Sequence, residues 1–123
     1  MLKGLLLAES LRIGAELRLP GLRLVGVVRR DVSASVSATQ PPIWTFVEFE
    51  APDDAAQELA AALARSLLAE GGWYADFAVC DDHVVVFADR IFRYRRGDQA
   101  ARAEAVEYGK LMGVPEPQLD WGD

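Results

Sequence analysis

The sequence predicts an α+β fold: a single, mainly antiparallel sheet of about six strands with two helices packed on one face, in the order β-β-β-α-β-β-β-α. Three observations carry this. Runs rich in β-branched and aromatic residues recur with a period of two, two segments switch to a helical period, and the stretches between them hold turn residues. The 123 residues suit one domain, 1–123, whose core needs neither metal nor disulfide.

Gly4 to Ser10 reads as the first strand; its apolar run, Leu5 to Ala8, falls far short of the ~20 residues of a membrane span. Gly14 and Pro20-Gly21 mark residues 12–21 as an irregular connection before a second strand over 22–32. The small, polar, proline-ended "SASVSATQPP", 33–42, is expected to be a mobile loop. A third strand, 43–50, places Thr45, Val47 and Phe49 on one face and Trp44, Phe46, Glu48 and Glu50 on the other.

The period changes after Pro52. Leu59, Leu63 and Leu67 recur every four residues, with Ala56 and Ala60 on the same side. Asp54 and Gln57 suggest a capping box, and Gly71-Gly72 a stop. The second helix starts at Asp98, carries Ala101, Ala105, Tyr108 and Met112 on one side, and ends at Gly113. Asp98 with Arg102 and Glu107 with Lys110 are expected to pair on its exposed side.

Between the helices, 73–80, 83–87 and 91–95 form a three-stranded meander. A two-residue turn at Asp81-Asp82 would set Cys80 opposite His83, and a three-residue turn over 88–90 would add Phe92 and Tyr94 to the core face of Phe77, Val79, Val84 and Val86. The other face, left open, then carries Tyr74, Asp76, Cys80, His83, Val85, Phe87, Ile91, Arg93 and Arg95.

Charge and composition narrow the chemistry. Thirteen basic against nineteen acidic residues leave a net charge of -6, which disfavours nucleic acid. One cysteine forms no internal disulfide, so a cytoplasmic location is expected. That cysteine and the only histidine meet in "CDDH", 80–83. Two such ligands fall short of a closed zinc set, and Asp76, roughly 13 Å along the strand from Cys80, is too far to orient a Cys-His pair. The tetrad therefore reads as a hairpin tip, with no catalytic residue, metal or cofactor assigned. Arg90, Arg93, Arg95 and Arg96 read as a charged edge strand, Arg93 reaching diagonally to Asp76. Tyr74, Asp76, His83, Arg93 and Arg95 are the candidate ligand contacts. Trp44, Trp73 and Trp121 read as packing residues, and "PQLDW", 117–121, should dock back on the body or on a partner subunit.

The segments "GGWYADFAVCDDHVVVFADRIFRY" and "GVPEPQLDW" resemble a group of short bacterial and archaeal proteins that share Trp-Tyr-x-Asp-Phe, an apolar strand ending in Val-Phe, then x-Val/Ile-Phe, a helix, and Gly-Val/Ile-Pro-x-x-x-Leu-Asp. The likeness covers 71–121 well and the N-terminal half loosely. It implies a self-standing domain and brings no site residue. The expected function is a non-enzymatic, homodimeric module that binds a protein partner or small molecule through the open sheet face. The alternative is a small enzyme or anion-binding protein using Tyr74, Asp76, His83, Arg93 and Arg95.

Overall fold

The computed structural model describes residues 1–121. Six strands build one antiparallel sheet: β1 (Leu2–Leu7), β2 (Arg23–Asp31), β3 (Ile43–Ala51), β4 (Ala75–Val79), β5 (Asp82–Phe87) and β6 (Arg90–Arg95). Their spatial order is β2-β3-β1-β4-β5-β6, and the helices are α1 (Ala56–Ser66) and α2 (Gln99–Leu111). The fold is α+β, as the change of hydrophobic period predicts. Among the described residues no helix is long and apolar enough to cross a membrane.

The first face of the sheet packs on α1. Leu59 and Leu63, on the inward stripe of α1, meet Leu2 and Leu6 of β1, Phe49 of β3, Phe77 of β4 and Val84 and Val86 of β5. Gly4 of β1 pairs with Phe49 on one side and Phe77 on the other, and the Phe49 ring and the Phe77 Cβ crowd it. A Cβ at residue 4 would strike the Phe49 ring and lie 2.7 Å from the Phe77 Cβ, so the missing side chain is part of the packing.

The helices do not share a face, contrary to expectation. Ala105 of α2 joins Val85 and Phe87 in a second core, and Tyr108 meets the Phe87 ring at 5.0 Å. Val85 and Phe87 point away from Val84 and Val86 because side chains alternate along a strand. β5 is therefore buried on both faces, and Val85 is 0% exposed.

The cause lies in a turn. Phe87 pairs with Arg90, so the β5–β6 connection has two residues, Ala88 and Asp89, and not three. A one-residue change inverts every side chain of the following strand. Phe92 and Tyr94 thus join the α2 face, and Arg93 and Arg95 move to the α1 face. There Arg93, on the edge strand, keeps its guanidinium half exposed and donates from Nε to Asp82 Oδ2 at 2.8 Å. The β4–β5 turn also differs: Val79 pairs with Asp82, leaving Cys80 and Asp81 in the turn, with Cys80 at φ 52°. That slip is even, so faces are preserved, but His83 now lies opposite Ala78 and not Cys80.

The helix ends differ in detail. A 3₁₀ turn over Asp53–Ala55 precedes α1, and its N-cap, Ala55, brings no side-chain bond, so the Asp54 capping box does not form. α1 ends at Ser66, ahead of the two glycines, because Leu67 turns extended and bridges Leu11. α2 starts as expected, with Asp98 Oδ1 accepting from the Ala101 N–H at 3.1 Å. Lys110 pairs with Glu107 at 3.5 Å, whereas Arg102 turns to Trp121.

Candidate functional site

The second face of the sheet is only partly covered. α2 lies over β5 and β6, which leaves the same face of β4, β1 and β3 open along one side of the helix. The C-terminal segment runs along this boundary. Trp121 is buried there, with its indole N–H donating to the Tyr94 hydroxyl at 2.7 Å and its edge against Tyr74 at 5.1 Å. Arg102 holds it from outside, donating to the Trp121 carbonyl at 3.0 Å with its guanidinium over the indole. The docking of 117–121 on the body follows the sequence reading.

Docking this segment creates a roof. Gln118 Nε2 donates to the Ser35 carbonyl at 2.7 Å and to Gln40 Oε1 at 2.8 Å. Gln40 Nε2 in turn reaches the Gly71 carbonyl at 2.8 Å. Both glutamines are buried, so these bonds satisfy groups that burial would otherwise leave costly. Residues 33–42, expected to be mobile, are anchored at Ser35 and Gln40.

Beneath the roof lies a cleft of about 280 Å³. Its walls are aromatic: Trp44 and Phe46 from β3, and Trp73 and Tyr74 just before β4. Trp44 and Trp73 meet at 5.3 Å, and the Trp44 indole N–H is fixed by the Pro41 carbonyl at 2.9 Å. Among the described residues its charges are Asp76 and Asp120, and no Lys or Arg lines it. The Tyr74 hydroxyl donates to the Gln118 carbonyl and so ties wall to roof. Its pKa is pushed well above the ordinary tyrosine value, first by burial and then by the negative charges of Asp76 and Asp120. These two carboxylates therefore act on the same spot.

Asp76 has a second partner. Its Oδ2 lies 2.9 Å from His83 Nε2, across the β4–β5 pair. His83 is buried and stacks on Tyr94, with ring planes 10° apart, and its Nδ1 has no hydrogen-bond partner among the described residues. The pair borders a shallower groove of about 500 Å³ over β1, which shares Leu5 and Asp76 with the cleft.

Of the five candidate contacts, then, Tyr74, Asp76 and His83 converge, while Arg93 and Arg95 lie on the opposite face. The expected diagonal pair of Arg93 with Asp76 is replaced by Arg93 with Asp82 and His83 with Asp76. Asp76 does orient the imidazole, but Cys80 stands exposed in the turn, outside this pair. Among the described residues no group of three or more His, Cys, Asp or Glu is placed to hold a metal ion. The sequence does not single out Gln118 or Gln40, and it marks Asp120 only as the last residue of the Gly-Val/Ile-Pro-x-x-x-Leu-Asp likeness; "PQLDW" is the other hint, through its tryptophan. Comparison with family models, with curated proteins and with solved structures finds no match to the chain.

Proposed function

We propose that the protein is a small, non-enzymatic binding module that takes an organic cation, an ammonium group on an apolar body, in the cleft under the C-terminal segment. One observation carries the reading: four aromatic side chains and two carboxylates line the cleft, with no basic side chain among them. Aromatic faces attract cations, and the carboxylates add charge and hydrogen-bond acceptors. The anion-binding alternative loses its support, because Arg93 and Arg95 lie across the sheet. For an enzyme using Asp76 and His83, the one thiol, Cys80, stands in the exposed turn, apart from that pair.

The test is a titration with three probes of similar shape: phenethylammonium, 2-phenylethanol and 3-phenylpropionate. Tryptophan fluorescence and amide NMR shifts report binding. The expected order is cation above alcohol above carboxylate, with shifts at Trp44, Trp73 and Asp120, and with weaker cation binding in Asp120→Asn. Equal affinity for the carboxylate, or shifts confined to another face, refutes the reading.

A second reading, self-association, has its own support. β2 is an edge strand of nine residues, and Leu24, Val25 and Val27 on it are more than half exposed. We place the homodimer contact at this edge, away from the cleft, with native mass spectrometry of Val27→Lys as the check. The exposed thiol of Cys80 favours a reducing, cytoplasmic setting.

A further inference from the structure

The aromatic cleft does not end at Asp76. It opens into the groove over β1, since Leu5 and Asp76 line both. Strand register fixes what lies along that groove. Leu5 is directly opposite Asp76 of β4 on one side and Glu48 of β3 on the other, so the three side chains stand in one row on the second face of the sheet. The row is an exposed leucine between two carboxylates.

The far carboxylate is the one left without a partner. Lys3, the basic residue that lines the groove, is engaged by Glu50 at 3.8 Å, and the β2 neighbour of Glu50 is Arg23. Glu48 has Gly26 as its β2 neighbour, and among the described residues it makes no ion pair. Its carboxylate leans over that glycine, where a Cβ would come within 3.1 Å of Oε2. At the near end, Asp76 is held in place by His83 Nε2.

The spacing of the two acids sets the length of what joins them. Asp76 and Glu48 are two strand spacings apart, ~10 Å, and the lean of Glu48 toward β2 adds up to one spacing more. An extended chain advances roughly 1.25 Å per bond, as the ~3.8 Å between successive Cα atoms shows, so seven carbons set two nitrogens ~10 Å apart. An ammonium at each end then has one carboxylate to meet, while the methylenes cross Leu5. We propose that the ligand of the cleft is a linear aliphatic diamine, with one ammonium under the roof between Asp76 and Asp120 and the other at Glu48. This inference rests on the cation reading of the cleft and narrows it to cations with a second charge.

The experiment titrates the full chain with 1,7-diaminoheptane, heptylamine and 7-aminoheptanoate, probes of similar length that differ at the far end, and follows tryptophan fluorescence and amide NMR shifts. Heptylamine is expected to shift Trp44, Trp73 and Asp120, and the diamine to shift Gly26 and Glu48 as well. The diamine should bind about fivefold more tightly than heptylamine, about twofold from its two equivalent ends and the rest from one exposed ion pair. The aminoheptanoate should be the weakest of the three. Glu48→Gln should reduce the diamine's gain to about the twofold of its equivalent ends and leave heptylamine unchanged, which also shows that the variant is folded. If heptylamine leaves the cleft residues unshifted, the cation reading fails and the diamine site with it. If heptylamine binds there but the diamine gains only its statistical share, keeps its full gain in Glu48→Gln, or is matched by aminoheptanoate, the cleft stands and the second ammonium site is overturned.

Discussion

Replacing Gln118 by Ala tests the roof. Gln118 makes bonds of 2.7 Å to Ser35, 2.8 Å to Gln40 Oε1, and a longer one of 3.3 Å from Gln40 Nε2. Gln40 keeps partners in the substituted protein, since its Nε2 still reaches the Gly71 carbonyl and its Oε1 still accepts from Ser37. The loss is therefore two good bonds, one of them to the partly buried carbonyl of Ser35. At about 1 kcal/mol net for each bond, Gln118→Ala should cost about 2 kcal/mol. Gln118→Glu should cost more, ~3 kcal/mol, because a carboxylate would face two acceptors in a buried place. Urea unfolding followed by tryptophan fluorescence gives both values. Amide exchange at Gln40, whose N–H bonds to Ser37, should accelerate alongside. If Gln118→Ala falls within ~0.5 kcal/mol of the parent and Glu is no worse than Ala, the amide pair does not clamp the loop. A cycle with Gln40→Ala then isolates the pair itself, with a coupling of ~1 kcal/mol expected.

Three further outcomes follow from the packing and the charges. Gly4→Ala should destabilise by ~2 kcal/mol or more in the same assay, since the new methyl must displace Phe49 or Phe77. Tyr74 ionises in the unfolded chain near the ordinary tyrosine pKa of 10.0, but in the fold it resists. The stability it contributes is full below that pH and is lost as pH rises beyond it, and Tyr74→Phe should flatten that alkaline limb. Burial pushes the Glu9 carboxyl up, but hydrogen bonds from the Thr45 N–H and hydroxyl, its own N–H, and the charge of Arg29 together outweigh it and hold the pKa below 4.5. Its contribution is thus present above that pH and fades as pH falls through the lowered value, which carboxyl NMR titration and Glu9→Gln unfolding at pH 3 and 7 would show.

The strands and helices were legible because each has its own period. Trp44 and Phe46 on one side of β3, with Val47 and Phe49 on the other, required nothing beyond alternation. Faces of later strands were not legible, since they depend on the parity of each turn. The residues that make those turns, Cys80 and Asp89, adopt positive φ without being the glycine or asparagine that usually signals it. A clue was nevertheless present in Val84 to Phe87: four apolar residues in a row imply burial on both faces and so a helix on each. For the site, Tyr74 and Asp76 shared a face by simple alternation, and His83 joined them despite the wrong turn because the slip was even. Asp120, Gln118 and Gln40 come from segments with no periodicity, and only tertiary packing brings 40 and 118 together.

The place of β1 in the sheet has a kinetic consequence. Strands β2 and β3 are neighbours in sequence, joined by the connection 32–42, and β4, β5 and β6 form a meander with tight turns, so each group closes through contacts local in sequence. β1 alone joins the groups, with Leu2 opposite Ala51 and Lys3 opposite Ala78, and only three registered pairs hold it to β4. Closing such distant pairs is slow, because the entropy of the intervening chain is lost before the contacts return it. Two fast local units and one late zipping event at β1 are the expected order of assembly. The same seam is where the native sheet would part first: amides of β1 and β4 that exchange together, ahead of those in β5, would be its signature.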